Sequence, residues 1–344
     1  MKAAITARDG SLLLAEVAEL SLGSGEVRIS VTYCGICGSD LHFRTMLPCG
    51  TTMGHEVVGS VVEVADDVDR WSPGDRVVII PYLDCGECAP CREGHENICE
   101  DRQFVIGGSK APGGYAERVV AKASMLLALP DSIADRTAAL VEPLAVALHG
   151  IAMAGASAED PVLIFGGGPI GLLTALALRA EGFDRLIVVE PRDDRRAMLS
   201  RAGISAAPAI GPDVVERLGE RPRILFDCAG YADAVADGVG LLAPRGRLVL
   251  LAATEDVRLP QLAMMTKEIG IASAMFYTHG EFERALALLE TGAVSADHVA
   301  VTVVPLDDAP AALQSLLERD TPHLKILLQP NGQPTCALRE RPPS

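Results

Sequence analysis

Aromatic residues are scarce in this chain, at 4% of 344 residues with a single Trp. Its core must be built from Val, Ile, Leu and Ala, within a hydrophobic fraction of 49%. Long apolar runs are missing as well. No stretch approaches the roughly 18 residues that a membrane-spanning helix needs, and the longest candidate, GRLVLLAA, reads as a buried strand. Positive charge is in short supply: 30 Lys and Arg stand against 46 Asp and Glu, for a net charge of −16. Such a surface repels phosphates, so no nucleic-acid partner is expected. The one basic run, RDDRR at residues 192–196, is broken by two aspartates. The opening MKAAITARDGSLLL alternates apolar with polar residues and lacks the apolar block of a secretory leader. A cytoplasmic location is expected. In that reducing compartment nine cysteines do not form a disulfide framework.

What is present is a folded composition, with 22% charged residues in a chain long enough for two domains. The first half carries short Val/Ile segments bounded by Gly, Asp or Pro, such as EVRISVTYCG, HEVVGSVVEVA and DRVVIIPYL. This spacing predicts a compact, largely antiparallel β domain. From about Ala138 the chain turns Ala/Leu-rich and helical, with Pro143 near a first turn or a kink. VLIF, RLIVVEP, RILFDCAG and GRLVLLAA then alternate with helical stretches. That alternation predicts parallel βαβ units with helices on both faces of the sheet. EFERALALLETG and APAALQSLLER read as helices, HVAVTVVPL and LKILLQ as strands, and the tail from Pro330 is Pro-rich and polar.

Residues 83–99 read LDCGECAPCREGHENIC, with cysteines at 85, 88, 91 and 99. Four thiolates satisfy tetrahedral zinc and leave no open position, so Cys85, Cys88, Cys91 and Cys99 are expected to hold a structural zinc. Gly86 and Gly94 ease the turns. An iron–sulfur cluster and unrelated buried thiols are the alternatives.

VLIFGGGPIG places Gly166, Gly168, Pro169, Ile170 and Gly171 between a predicted strand and a predicted helix. The first glycine allows a tight turn, the second a close approach of backbone to a pyrophosphate, and the third helix-on-strand packing. The helix N-terminus then offers free N–H groups to the phosphates. Glu190, at the end of the next strand, suits the ribose hydroxyls of NAD and would repel a 2′-phosphate. Arg192 and Arg195 lie close by and could serve such a phosphate, so NADP remains the second choice.

Two further stretches, YCGICGSDLH and MGHEVVG, carry metal-ligand types: Cys37, Asp40, His42, His55 and Glu56. Each is weak alone, but they fall on consecutive β–turn connections. Together with the cysteine tetrad, the VEP triplet at residues 141–143 and the glycine turn, in that order, the sequence resembles the zinc-dependent medium-chain dehydrogenases, and within them the sorbitol/butanediol branch of alcohol and polyol dehydrogenases. The resemblance implies an α/β fold: a GroES-like, mostly β catalytic domain plus a Rossmann domain with a doubly wound parallel sheet. The corresponding spans are 1–147 for the catalytic domain, 148–275 for the Rossmann domain, 276–330 for a return to the first domain and 331–344 for a disordered tail.

Carried onto this sequence, the resemblance makes Cys37 and His55 ligands of a catalytic zinc, the second zinc of the chain, and Glu56 the third protein ligand. Glu142 occupies a position where other branches place a ligand cysteine. Direct coordination, alternation with Glu56 and holding of a water at the metal all stay open for it. Ser39 resembles the hydroxyl that accepts the substrate proton, His42 the distal relay to solvent, and Asp40 a partner that orients a ligating imidazole. For Asp40 and His42 ordinary loop capping is the alternative. Gly38 departs from relatives that carry a basic residue beside the ligand cysteine, so that pyrophosphate contact is missing. Phe43, Met46 and Leu47 are candidates for the substrate pocket; Cys34 and Cys49 have no ligand role.

The activity implied is hydride transfer between NAD and a small-molecule secondary alcohol, diol, polyol or cyclitol, giving the ketone. A homodimer or homotetramer is implied too, with the sheet edge near residues 247–253 as the contact. A zinc-independent enone or quinone reductase, and a non-catalytic NAD-binding regulatory protein on the same scaffold, are the competing readings.

Overall fold

The computed structural model describes residues 1–331 apart from Gln103, Ser109, Glu255 and Arg319. Beyond Asn331, the expected disordered tail lies outside the described residues. The chain divides into two units: Met1–Cys88, Glu100–Leu140 and Val301–Ser344 form the first, and Ala89–Cys99 with Val141–Ala300 the second.

The first unit is built on the ten-residue strand Glu26–Gly35. It pairs antiparallel with Glu56–Val64, Arg118–Lys122 and Lys325–Gln329, and Lys325–Gln329 pairs parallel with Val301–Pro305. Arg76–Ile79 and Leu126–Ala128 extend the sheet beyond Glu56–Val64. The alternation of the sequence explains the packing: Val27, Ile29 and Val31 point into a core with Val57, Val61, Val77, Ile79 and Tyr115. This is the antiparallel β domain that the Val/Ile segments predict. It recruits the last two strands among the described residues and the helix between them, Ala309–Leu317.

The second unit carries a six-stranded parallel sheet in the order Ala206–Ala207, Leu186–Val189, Val162–Phe165, Ile224–Asp227, Arg247–Leu250, Gly270–Ser273. Strands buried on both faces read as unbroken apolar runs, which is how VLIF and LIVV appear. The order reverses between Leu186–Val189 and Ile224–Asp227, on either side of Val162–Phe165. That is the switch point where open α/β sheets bind nucleotides, and the glycine turn leaves Val162–Phe165 there. Pro143 sits in the first turn of helix Val141–Ala154.

Three expectations shift. The units divide after Leu140 and after Ala300, where the sequence suggested 147 and 275. Helix Val141–Ala154 packs on the glycine-turn helix Pro169–Ala180 and on His279–Glu290, so both flanking segments join the parallel sheet. The sheet edge is Gly270–Ser273, not residues 247–253: Arg247–Leu250 is bonded on both sides. GIAS is too short to show a period, which hid this strand. Among the described residues no helix is long and apolar enough to cross a membrane.

The glycine turn is the most tightly constrained corner of the second unit. A Cβ on Gly171 would lie 1.9 Å from the Gly166 carbonyl oxygen, a backbone atom that cannot swing aside. Gly171→Ala is expected to cost about 2–3 kcal/mol of stability, the upper range for overpacking. Urea unfolding monitored by circular dichroism measures it, and an unchanged midpoint would refute the packing role.

Candidate active site

Register brings the ligand types together. Gly35 faces Glu56 across the antiparallel ladder and Leu327 on its other side. Cys37 follows Gly35 by two residues and stands at the N-cap of the short helix Gly38–Phe43, while His55 immediately precedes Glu56. The two therefore leave the same end of one ladder. One donor atom each from Cys37, His55 and Glu56 lies within 4.8 Å of the others. A thiolate, an imidazole and a carboxylate at this spacing match the donor set of an open, three-ligand zinc site.

Glu56 has a second claim on it. The Lys325 ammonium donates to Glu56 Oε1 at 2.6 Å, contacts Oε2 as well, and donates to the Ile36 carbonyl at 3.0 Å. Both side chains are buried. Gly35 makes the pair possible: a Cβ there would stand 1.7 Å from Glu56 Oε2. Sequence reasoning missed Lys325, although a lysine inside the apolar strand LKILLQ is a signal, because a buried ammonium requires a counter-charge.

Asp40 is buried in the helix beside the ligands. Its Oδ2 accepts the Cys37 backbone N–H at 2.9 Å and the Tyr115 hydroxyl at 2.6 Å. Its Oδ1 faces His55 Nδ1 at 3.6 Å. Burial first, and then the Asp40 charge, push the Tyr115 phenol well above its ordinary value, so it stays a donor. Tyr115, too, went unread in the sequence. Ser39 and His42 stand one turn apart on the same short helix, Ser39 half-buried and His42 exposed, which puts them on one face. Of the pocket candidates, Phe43 and Met46 are exposed, whereas Leu47 packs against the core of the first unit. Cys34 is wholly buried, and burial raises its thiol pKa well above the usual value.

In the second unit Glu142 lies buried in the first turn of Val141–Ala154. The glycine turn has the backbone geometry that its glycines predict. Gly166 takes φ +91°, and nothing lies within 4 Å of the position a Gly168 Cβ would fill, so backbone is open to a ligand there. Pro169 and Ile170 begin helix Pro169–Ala180, whose first N–H groups follow the turn. Glu190 is buried; its Oε2 accepts the Gly167 N–H at 2.8 Å and its Oε1 the Arg192 N–H at 2.9 Å. Each oxygen keeps a lone pair for a ribose hydroxyl. Arg195 approaches Glu190 at 4.0 Å, while the guanidinium of Arg192 is engaged by Asp194 at 3.0 Å.

The donor sulfurs of Cys85, Cys88, Cys91 and Cys99 also lie within 4.8 Å of one another, and the Cys88 N–H donates to Cys85 Sγ at 3.3 Å. Four sulfurs at this spacing fit a closed zinc site. The loop also docks on its surroundings: Glu96 accepts the His279 N–H at 2.8 Å, and Asn97 donates to the Met275 carbonyl at 3.0 Å. These bonds place residues 89–99 with the second unit.

Fold and site together define an oxidoreductase scaffold: the first unit is a mostly antiparallel β unit bearing a metal-type cluster, and the second carries a parallel sheet of the dinucleotide-binding type. Residues 23–131 match the alcohol dehydrogenase GroES-like domain, and residues 169–291 match the zinc-binding dehydrogenase family. A sorbitol dehydrogenase of Halalkalibacterium halodurans is 30% identical, over 96% of this chain and 99% of its own. An alcohol dehydrogenase of Escherichia coli CFT073 complexed with NADH superposes with a TM-score of 0.87 at 26% identity, over 96% of this chain and 99% of that one. A zinc-binding dehydrogenase of Sinorhizobium meliloti 1021 bound to NADP gives 0.86 at 28% identity, with the same coverage of 96% and 99%. The chain belongs to the zinc-binding medium-chain dehydrogenase family and is an enzyme of the alcohol and polyol dehydrogenase type.

The buried ion pair generates a stability prediction. Lys325→Met leaves the Glu56 carboxylate buried without its counter-charge and is expected to cost about 3–5 kcal/mol. Pairing it with Glu56→Gln is expected to recover most of that loss. Urea midpoints of the metal-free proteins report both, and an additive double variant would contradict the pairing.

Proposed function

We propose that the chain oxidises a secondary alcohol, diol, polyol or cyclitol to the ketone with NAD, at a zinc held by Cys37, His55 and Glu56. The observation that carries this reading is the convergence of those three donors at one end of the Gly35–Glu56 ladder. Glutamate in place of a second cysteine supports the polyol and diol branch, as does the sorbitol dehydrogenase relative. When bound, zinc supplies Lewis acidity to a substrate hydroxyl and the nicotinamide supplies a hydride acceptor. The protein's own part is alignment and proton handling. Ser39 Oγ accepts the substrate's hydroxyl proton as it gives up its own, and the exposed His42 on the same helix face passes a proton to solvent. Cys85, Cys88, Cys91 and Cys99 hold a second, structural zinc.

Glu190 favours NAD over NADP, because its buried charge opposes a 2′-phosphate. Arg195 lies 4.0 Å from that carboxylate. A cytoplasmic enzyme acting on a small molecule fits the acidic composition. A homodimer or homotetramer would form through the edge strand Gly270–Ser273, with Ile271 exposed on that strand and Leu262 and Met265 exposed on the preceding helix Gln261–Lys267, all of which a second copy would cover. Light scattering on the eluting protein tests that assembly.

Cys37→Ser or His55→Ala is expected to lower turnover at least about 10³-fold, the scale of several kcal/mol of charge stabilisation, while NAD binding persists. NADH formation across a panel of diols and polyols, with and without chelator, measures it. Full activity in a zinc-free variant would refute the mechanism. No turnover across the panel, with NAD still bound, would turn the reading to a binding protein. Glu190→Ala is expected to weaken NAD at least about tenfold more than NADP, and equal losses for the two cofactors would remove its assignment.

A further inference from the structure

The geometry points to Tyr115 as a positioning residue for the metal site: its hydroxyl fixes the Asp40 carboxylate so that one oxygen is left for His55. This deepens the proposed metal reading of Cys37, His55 and Glu56 and rests on it.

A carboxylate has two oxygens, and here they are divided. Oδ2 receives two donors, the Tyr115 hydroxyl at 2.6 Å and the Cys37 backbone N–H at 2.9 Å. Oδ1 is turned to His55 Nδ1 at 3.6 Å. A neutral imidazole that keeps its hydrogen on Nδ1 toward Asp40 presents the Nε2 lone pair to a cation. The same carboxylate thus bonds one ligand, Cys37 through its backbone N–H, and faces the ring of a second, His55, at 3.6 Å.

The phenol is itself held from several sides. Tyr115 is wholly buried, its N–H donates to the Met53 carbonyl at 3.0 Å, and its carbonyl accepts from Ala4 at 2.7 Å. Gly54, directly before His55, adopts φ +94°, and a Cβ there would lie 2.4 Å from Tyr115 Cδ1. The ring is therefore packed against the backbone that carries His55, and the hydroxyl has little freedom to leave Asp40. Removing that hydroxyl alone takes one of the two donors from Asp40 Oδ2 and loosens the carboxylate, while the Cys37 N–H stays bonded to it and the ring keeps its packing.

The test is metal affinity rather than turnover. Apo-protein, Tyr115→Phe and Asp40→Asn are each titrated with cobalt(II) and with zinc against a chromophoric chelator, with Cys37→Ser marking which site is which. The four-cysteine loop serves as the internal reference. Tyr115→Phe is expected to weaken the Cys37 site about tenfold to a hundredfold, to alter its cobalt spectrum and to leave the four-cysteine site unchanged. Asp40→Asn is expected to weaken the same site, and Tyr115→Phe added to it to cost little more.

Unchanged affinity in Tyr115→Phe would overturn the inference, as would equal losses at both sites, which mark a merely structural tyrosine. Should the wild-type chain bind no metal beyond the four-cysteine site, or Cys37→Ser remove none, the metal reading itself falls and the inference with it. The wild-type titration separates that failure from the others.

Discussion

The site depends on the line Glu56–Gly35–Lys325, where a carboxylate and an ammonium meet over a residue with no side chain. Three strands converge there, two from the first third of the chain and one from its end. A buried charge is costly without a partner, so the pair ties the strand Lys325–Gln329 to the place where Cys37 and His55 emerge. Slip any of these strands by one residue and the alternation of side chains reverses, sending Glu56 or Lys325 to the other face. The metal-type cluster is thus a consequence of register before it is a matter of ligand chemistry.

Around that line the protein controls freedom more than contact. Gly35 removes a side chain so that two charges can meet. Gly54 accepts a left-handed turn so that a tyrosine ring can press on the backbone of His55. Asp40 divides its oxygens between donors and the imidazole. The second unit uses the same economy: Gly166 turns, Gly171 admits a carbonyl, and Gly168 leaves its backbone bare to a ligand. Preorganisation of this kind lets a site bind a cation or a pyrophosphate without first rearranging.

The Glu190 carboxylate has a part in the fold beside the cofactor role proposed for it. Its oxygens accept the N–H groups of Gly167 and Arg192, which pins the glycine turn to the end of the neighbouring strand. The charge that results is fixed in place, where it can meet ribose hydroxyls and oppose a phosphate. The cysteine loop likewise does two things, gathering four sulfurs and presenting Glu96 and Asn97 to the segment Met275–His279.

The sequence by itself determined the parts whose signals are local. The cysteine tetrad, the glycine turn with Glu190, the Val/Ile strands and the βαβ alternation each lie within about fifteen to thirty residues, the range over which periodicity and turn chemistry can be read. Family order then joined Cys37 to His55. Only the tertiary structure decided that Lys325, 269 positions from Glu56, pairs with it, and that Tyr115 reaches Asp40 from 75 positions away. It also set the edge at Gly270–Ser273 and gave helix Val141–Ala154 to the parallel sheet. Such contacts arise from strand register and packing between distant segments, and a lysine or tyrosine in a linear sequence carries no mark of the partner it will meet.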